Sequence, residues 1–154
     1  MEPFVMSELR TYQSEPAIAS GDYWEQLGIP RHEADLIAEV RAGFAFITLE
    51  RLAAISGFSE SDLAEMVGLS RYALGQGRRR GRWSVQQSDR LLRVVRVLAA
   101  ASELFGGDQV AAKRWLTLSQ LGLGGERPIA MLATEIEANA VLHLIGRIEH
   151  GVVS

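Results

Sequence analysis

Residues 59–83 read SESDLAEMVGLSRYALGQGRRRGRW, and this stretch decides the fold. Ser59 to Asp62 is a candidate capping box, with Asp in place of the usual Glu or Gln. Leu63, Ala64, Met66 and Val67 follow as the apolar side of a short helix that Gly68 stops. Ser70 is placed to cap a second helix, which begins at Arg71 and carries Leu74. Two short helices joined by a glycine-containing turn form the helix-turn-helix pattern. The small Ala64 allows close approach, Gly68 accepts the positive φ of the turn, and Leu69 is expected to plug the core.

In such a motif the first residues of the second helix face base edges, and nearby cations hold phosphates. Here those residues are Arg71, Tyr72 and Gln76, with Ala73 between them. Arginine can hold guanine bidentately and glutamine adenine. Arg78, Arg79, Arg80 and Arg82 lie beyond them and are expected on the DNA backbone. The bland alternative for such a charge run is a solvated helix face. Gly77 is expected to weaken the end of this helix by roughly 1 kcal/mol relative to alanine.

Charge is segregated along the chain. Residues 1–70 hold twelve acids and four bases, residues 71–96 eight arginines and one acid, and residues 97–154 six acids and four bases. A net charge of −3 therefore conceals one concentrated cationic block, the footprint of a phosphate-binding face.

Outward from the motif the pattern stays helical. Glu33 to Phe46 places Leu36, Ile37, Val40, Phe44 and Ile47 at three- and four-residue steps, predicting a helix with one apolar face. Thr48 is expected to cap the next helix, which carries Leu49, Leu52, Ala53 and Ile55 and stops at Gly57. After the arginines, SVQQ (84–87) is a second capping box. It opens the longest helix, to about Phe105, with Arg90, Arg93 and Arg96 as a basic stripe beside its apolar face. Gly106–Gly107 ends it, and Asp108 caps a helix carrying Val110, Trp115 and Leu116. A glycine-rich loop leads to Pro128 at a helix N1 position. TEIE (134–137) caps a last helix, with Val141, Leu144, Ile145 and Ile148 on one face and Gly151 as its stop. No segment alternates apolar and polar residues over six or more positions, so the fold class is all-α. Residues 1–22 read as an arm without clear periodicity.

Catalytic signals are poor. His32, His143 and His150 have no metal-ligand spacing, and no serine sits in a GxSxG elbow. The LGLGGERP glycines (121–128) lack the P-loop lysine and the preceding strand, so they read as a turn. An enzyme, a metal or a cofactor is not expected. The absence of cysteine excludes disulfide and thiolate chemistry, and no apolar run reaches the roughly 18–20 residues that a bilayer requires. The first residues, MEPFVMSELR, lack the pattern of a secretory leader, and a cytoplasmic protein is expected. By spacing alone, the short apolar end after Gly151 reads as a fraying terminus.

Several elements together resemble the Xre/MbcA/ParS-like antitoxins. They are SDRLLRVVRVLAAASELFG (88–106), the Trp115–Leu116 pair, Leu123–Gly125, Pro128, Thr134 and GRIEHGVVS (146–154). The likeness runs from about Asp35 to Ser154, and the combination, not any one piece, is specific. The chain departs from the family pattern at Gln76–Gly77, where a basic pair is usual, at Ser119, near the place of a proline, and at Glu137 after Thr134, where a glycine is expected.

The resemblance implies an arm (1–22), an Xre-like helix-turn-helix and dimerisation region (23–98) and a small helical toxin-binding domain (99–154). It implies a partner of the RES toxin family, whose members have an ADP-ribosyltransferase-like fold and consume NAD or transfer ADP-ribose. His150, Gly151, Val152, Val153 and Ser154 become the inhibitory tail, flanked by Arg147 and Glu149, in place of a fraying end. A homodimer, a hetero-oligomer with the toxin, and binding of operator DNA are implied as well. The competing expectation is a free-standing helix-turn-helix regulator whose C-terminal module only dimerises.

Overall fold

The computed structural model describes residues 22–151. Among them are eight α-helices and two 3-10 turns, and no strand is present. The helices are α1 (Tyr23–Leu27), α2 (Glu33–Ala42), α3 (Ile47–Ser56), α4 (Glu60–Val67), α5 (Arg71–Arg80), α6 (Val85–Leu104), α7 (Gln109–Thr117) and α8 (Glu135–Glu149). The turns, Leu121–Leu123 and Pro128–Ala130, lie between α7 and α8. The all-α expectation holds.

The ends of these helices follow local chemistry. Ser59, Ser70, Ser84, Asp108 and Thr134 each accept a backbone N–H from the third residue on. Only SVQQ closes as a reciprocal box: Gln87 N–H donates to Ser84 Oγ at 3.1 Å, and Ser84 N–H to Gln87 Oε1 at 2.9 Å. In TEIE the Thr134 hydroxyl instead donates to Glu137 Oε1 at 3.0 Å. Asp62 has no returning bond to the Ser59 backbone among the described residues. Gly57 and Gly68 end α3 and α4 in the left-handed region, as the sequence predicts.

Two expectations fail around Gly43. The helix from Glu33 ends at Ala42, so Phe44 is delivered to the core by an extended link. Ile37 and Ile47 are both exposed, so they do not continue one apolar face. The physical reason is Gly43 itself, at φ +88°, where a Cβ would strike the Trp83 carbonyl oxygen. Thr48 is not a cap; it is buried in the first turn of α3, and Phe46 occupies the N-cap position.

Helix α6 is the centre of the molecule. Ten of its residues are buried, Leu91, Val94, Val95, Val97 and Leu98 among them, and α1, α2, α3, α4, α7 and α8 all pack on it. One arginine of its basic stripe, Arg93, is engaged by neighbouring elements. Arg93 donates to the Ala133 carbonyl at 3.1 Å and to Glu135 Oε1 at 3.2 Å, which fastens α6 to the start of α8. Val110 of α7 is 81% exposed.

Trp83 locks the link between α5 and α6. Its N–H donates to the Phe44 carbonyl at 2.8 Å, and Phe46 N–H donates to the Gly81 carbonyl at 2.9 Å. Phe44 N–H in turn donates to the buried Ser88 hydroxyl at 2.8 Å. The Trp83 ring lies 5.1 Å from the Phe46 ring and flat against Gly77. A Cβ on Gly77 would sit 2.7 and 2.8 Å from two indole carbons and closer still to a third. Gly77 is therefore no weakness of α5 but the condition for seating Trp83.

Gly77→Ala should accordingly destabilise the protein by about 1–2 kcal/mol, because overpacking outweighs the gain in helix propensity. Urea denaturation measures it. In a Trp83→Leu background the same alanine should cost nothing; an unshifted midpoint for the single variant would refute the contact.

Candidate DNA-binding face and toxin-binding module

Helices α4 and α5 with the Gly68–Ser70 turn form the helix-turn-helix. Ala64 is buried at the crossing, Gly68 sits at φ +83°, and Leu69 packs on the core, as the sequence predicts. Ser70 Oγ accepts from Ala73 N–H at 3.0 Å, which fixes the entry of α5.

The arginines and their neighbours on α5 divide into two sets. On the outer side, Tyr72 is 70% exposed and its hydroxyl accepts from Gln76 Nε2 at 2.6 Å. Gln76 Oε1 accepts from Arg79 Nη2 at 3.1 Å. Tyr72, Gln76 and Arg79 thus form a hydrogen-bonded ladder up one face of the helix. Arg71 and Arg80 are exposed and have no hydrogen-bond or ion-pair partner among the described residues.

On the inner side, Arg78 pairs with Glu60 at 3.0 Å and with Glu50 at 3.7 Å, and its guanidinium lies 4.8 Å from the Phe46 ring centre. Arg82 donates to the Ala42 and Gly43 carbonyls. These two arginines tie α5 and its exit to α2, α3 and α4. The solvated-face reading of the run therefore suits neither of them.

The end of α8 collects the other named residues. Val141, Leu144 and Ile145 bury the helix, while Arg147 and Glu149 stand near its last turn. Leu142, His143, Gly146, Arg147 and His150 line a shallow depression there. His150 Nδ1 lies 2.8 Å from the Gly146 carbonyl oxygen, which only a protonated Nδ1 can satisfy. Gly151 lies at φ +72°, and a Cβ on it would meet open space. Val152, Val153 and Ser154 lie outside the described residues, as does the arm up to residue 21.

Some residues of this region carry no sequence signal. Leu118 and Leu121 are exposed, at 52% and 94%, on the loop between α7 and α8. By type alone they are indistinguishable from the buried Leu116 and Leu123. Among the described residues no three His, Asp or Glu side chains group as metal ligands. No single described helix is long and apolar enough to cross a membrane.

A model of the antitoxin Xre-like helix-turn-helix domain matches residues 35–96. A model of the antitoxin Xre/MbcA/ParS C-terminal toxin-binding domain matches residues 100–151. The protein Antitoxin Xre of Yersinia enterocolitica (serotype O:8 / biotype 1B) is 32% identical over 148 residues, covering 95% of this chain and 100% of that protein. The chain belongs to the Xre family of antitoxins. Antitoxin Xre of Photorhabdus laumondii subsp. laumondii is also 32% identical, over 152 residues, with 95% and 100% of the two chains covered. As a member of the Xre family, the chain joins a helix-turn-helix to a toxin-binding domain, and α6 runs through the boundary between the two matches.

The division of the arginines can be checked by stability. Arg78→Ala should lower urea stability by about 1 kcal/mol, the scale of a half-exposed ion pair plus a ring contact. Arg80→Ala should leave the midpoint unchanged.

Proposed function

We propose that this Xre antitoxin neutralises a RES-family toxin, an NAD-consuming enzyme of ADP-ribosyltransferase-like fold, by occluding its active site. Residues 150–154 form the plug, and Arg147 and Glu149 flank its base. The observation that carries this reading is the match of residues 100–151 to a toxin-binding domain, a match that extends through the last turn of α8 to Gly151. The chain itself is read as a binding protein, not an enzyme, and its place as the cytoplasm.

We further propose that a homodimer of the chain binds operator DNA through α5 and represses its own operon. The ladder of Tyr72, Gln76 and Arg79, with Arg71 and Arg80 beside it, supplies base-reading groups and phosphate contacts. Arg78 and Arg82 also hold α5 in place through internal acceptors, and their remaining N–H groups are left for the DNA backbone.

Deleting residues 151–154 should abolish protection of cells that express the toxin and leave DNA binding intact. Full protection by the truncated chain would remove the plug. Arg80→Ala should reduce the slope of log affinity against log salt by about 1, measured by fluorescence anisotropy on operator DNA. A free-standing regulator would instead retard DNA strongly and capture no toxin.

A further inference from the structure

The loop between α7 and α8 is a rigid platform that presents leucine to solvent. Gln120 staples it: its N–H donates to the Glu126 carbonyl at 3.0 Å, and its carbonyl accepts from Gly125 N–H at 2.9 Å. Its side-chain amide donates to the carbonyls of Trp115 at 3.0 Å and Leu118 at 3.2 Å. Gly124 and Gly125, at φ +67° and +88°, close the turn that makes these bonds possible. Leu123 is buried below, and Gly122 is pressed on α8, where a Cβ would come within 2.6 Å of Leu144 Cδ1. The backbone under Leu121 is thus fixed from both sides while its own side chain is 94% exposed.

Single exposed leucines are common and call for no explanation. This one is different because the loop beneath it is pinned and two further exposed apolar side chains accompany it on the same module. Leu118 flanks it on the same stapled loop, 52% exposed. Ile148, 42% exposed, lies one turn of α8 beyond Leu144, on the side where the loop docks.

We propose that Leu121, with Leu118 and Ile148, is the apolar anchor by which this chain seats on its toxin, filling a socket of aliphatic or aromatic side chains beside the cleft that takes residues 150–154. This rests on the toxin-binding reading given above. Two things select the toxin over a second copy of the chain. The three residues lie wholly within residues 100–151, matched as a toxin-binding domain, and Ile148 stands in the last turn of α8, next to the proposed plug. A pre-ordered loop loses little entropy on binding, so a leucine held on one contributes nearly its full burial energy. The anchor positions the toxin, and the tail blocks it.

The test uses the full chain and a RES-type toxin from the same organism, with affinity measured by titration on immobilised toxin. Leu121→Asp should weaken binding roughly 10–100-fold, the effect of losing a buried leucine, with an unchanged melting temperature. Leu121→Met should bind within a few fold of the parent. The inference is overturned, and the toxin-binding reading kept, if the parent binds and Leu121→Asp binds equally well. It is overturned in favour of a second copy if Leu121→Asp instead lowers the mass of the toxin-free protein in light scattering. If the parent chain captures no toxin, the functional reading falls and the anchor falls with it.

Discussion

The contact of Trp83 with the bare backbone of Gly77 is the constraint on which the rest of this molecule depends. The indole fills the space that any side chain at Gly77 would claim, and its main chain pairs with Phe44. Phe44 then reaches the Ser88 hydroxyl at the start of α6. One glycine thus fixes the angle between α5 and α6, and through Phe44 and Gly43 it fixes where α2 must end. The indole N–H is buried without a partner among the described residues, a cost of roughly 1–3 kcal/mol that the packing of this large ring offsets.

The arginine block illustrates how composition can mislead at the level of single residues. Eight arginines in residues 71–96 look like one cationic surface. Folded, Arg78, Arg82 and Arg93 are absorbed by carboxylates and carbonyls of neighbouring elements, and they act as long-range struts. Arg71 and Arg80 keep their charge for the outside, and Arg79 is poised by Gln76. The charge is real, but three of the eight arginines are also engaged in architecture. Gln76 links Tyr72 to Arg79, so it organises the exposed face where a cation at this position would repel Arg79.

What was legible in the sequence was what is settled within four residues. The caps at Ser59, Ser70, Ser84, Asp108 and Thr134 are decided by hydrogen bonds to the next turn, and the glycine stops by local φ. Contacts that close across the chain left no such mark. Ser88 meets Phe44 forty-four residues away, and Arg93 meets Glu135 forty-two away. Gly77 was misread because propensity counts the helix and not the ring lying against it. Thr48 was misread because a β-branched polar residue before an apolar run looks like a cap until the chain folds over it. Of the candidate site, the helix-turn-helix and the end of α8 were visible as patterns. Leu121 was not, because exposure of a leucine is decided by the loop that carries it.

Helix α6 has a further consequence. It begins inside the region matched by the helix-turn-helix model and ends inside the one matched by the toxin-binding model, and no hinge interrupts its twenty residues. A continuous helix is a ruler of phase as well as of length. One residue inserted between Arg96 and Ala100 would turn everything beyond it by about 100° and lengthen the rod by only about 1.5 Å. The bearing of one binding surface relative to the other is thus written in the residue count of a single helix. Recombination between relatives can exchange the two halves freely only at joins that preserve that count.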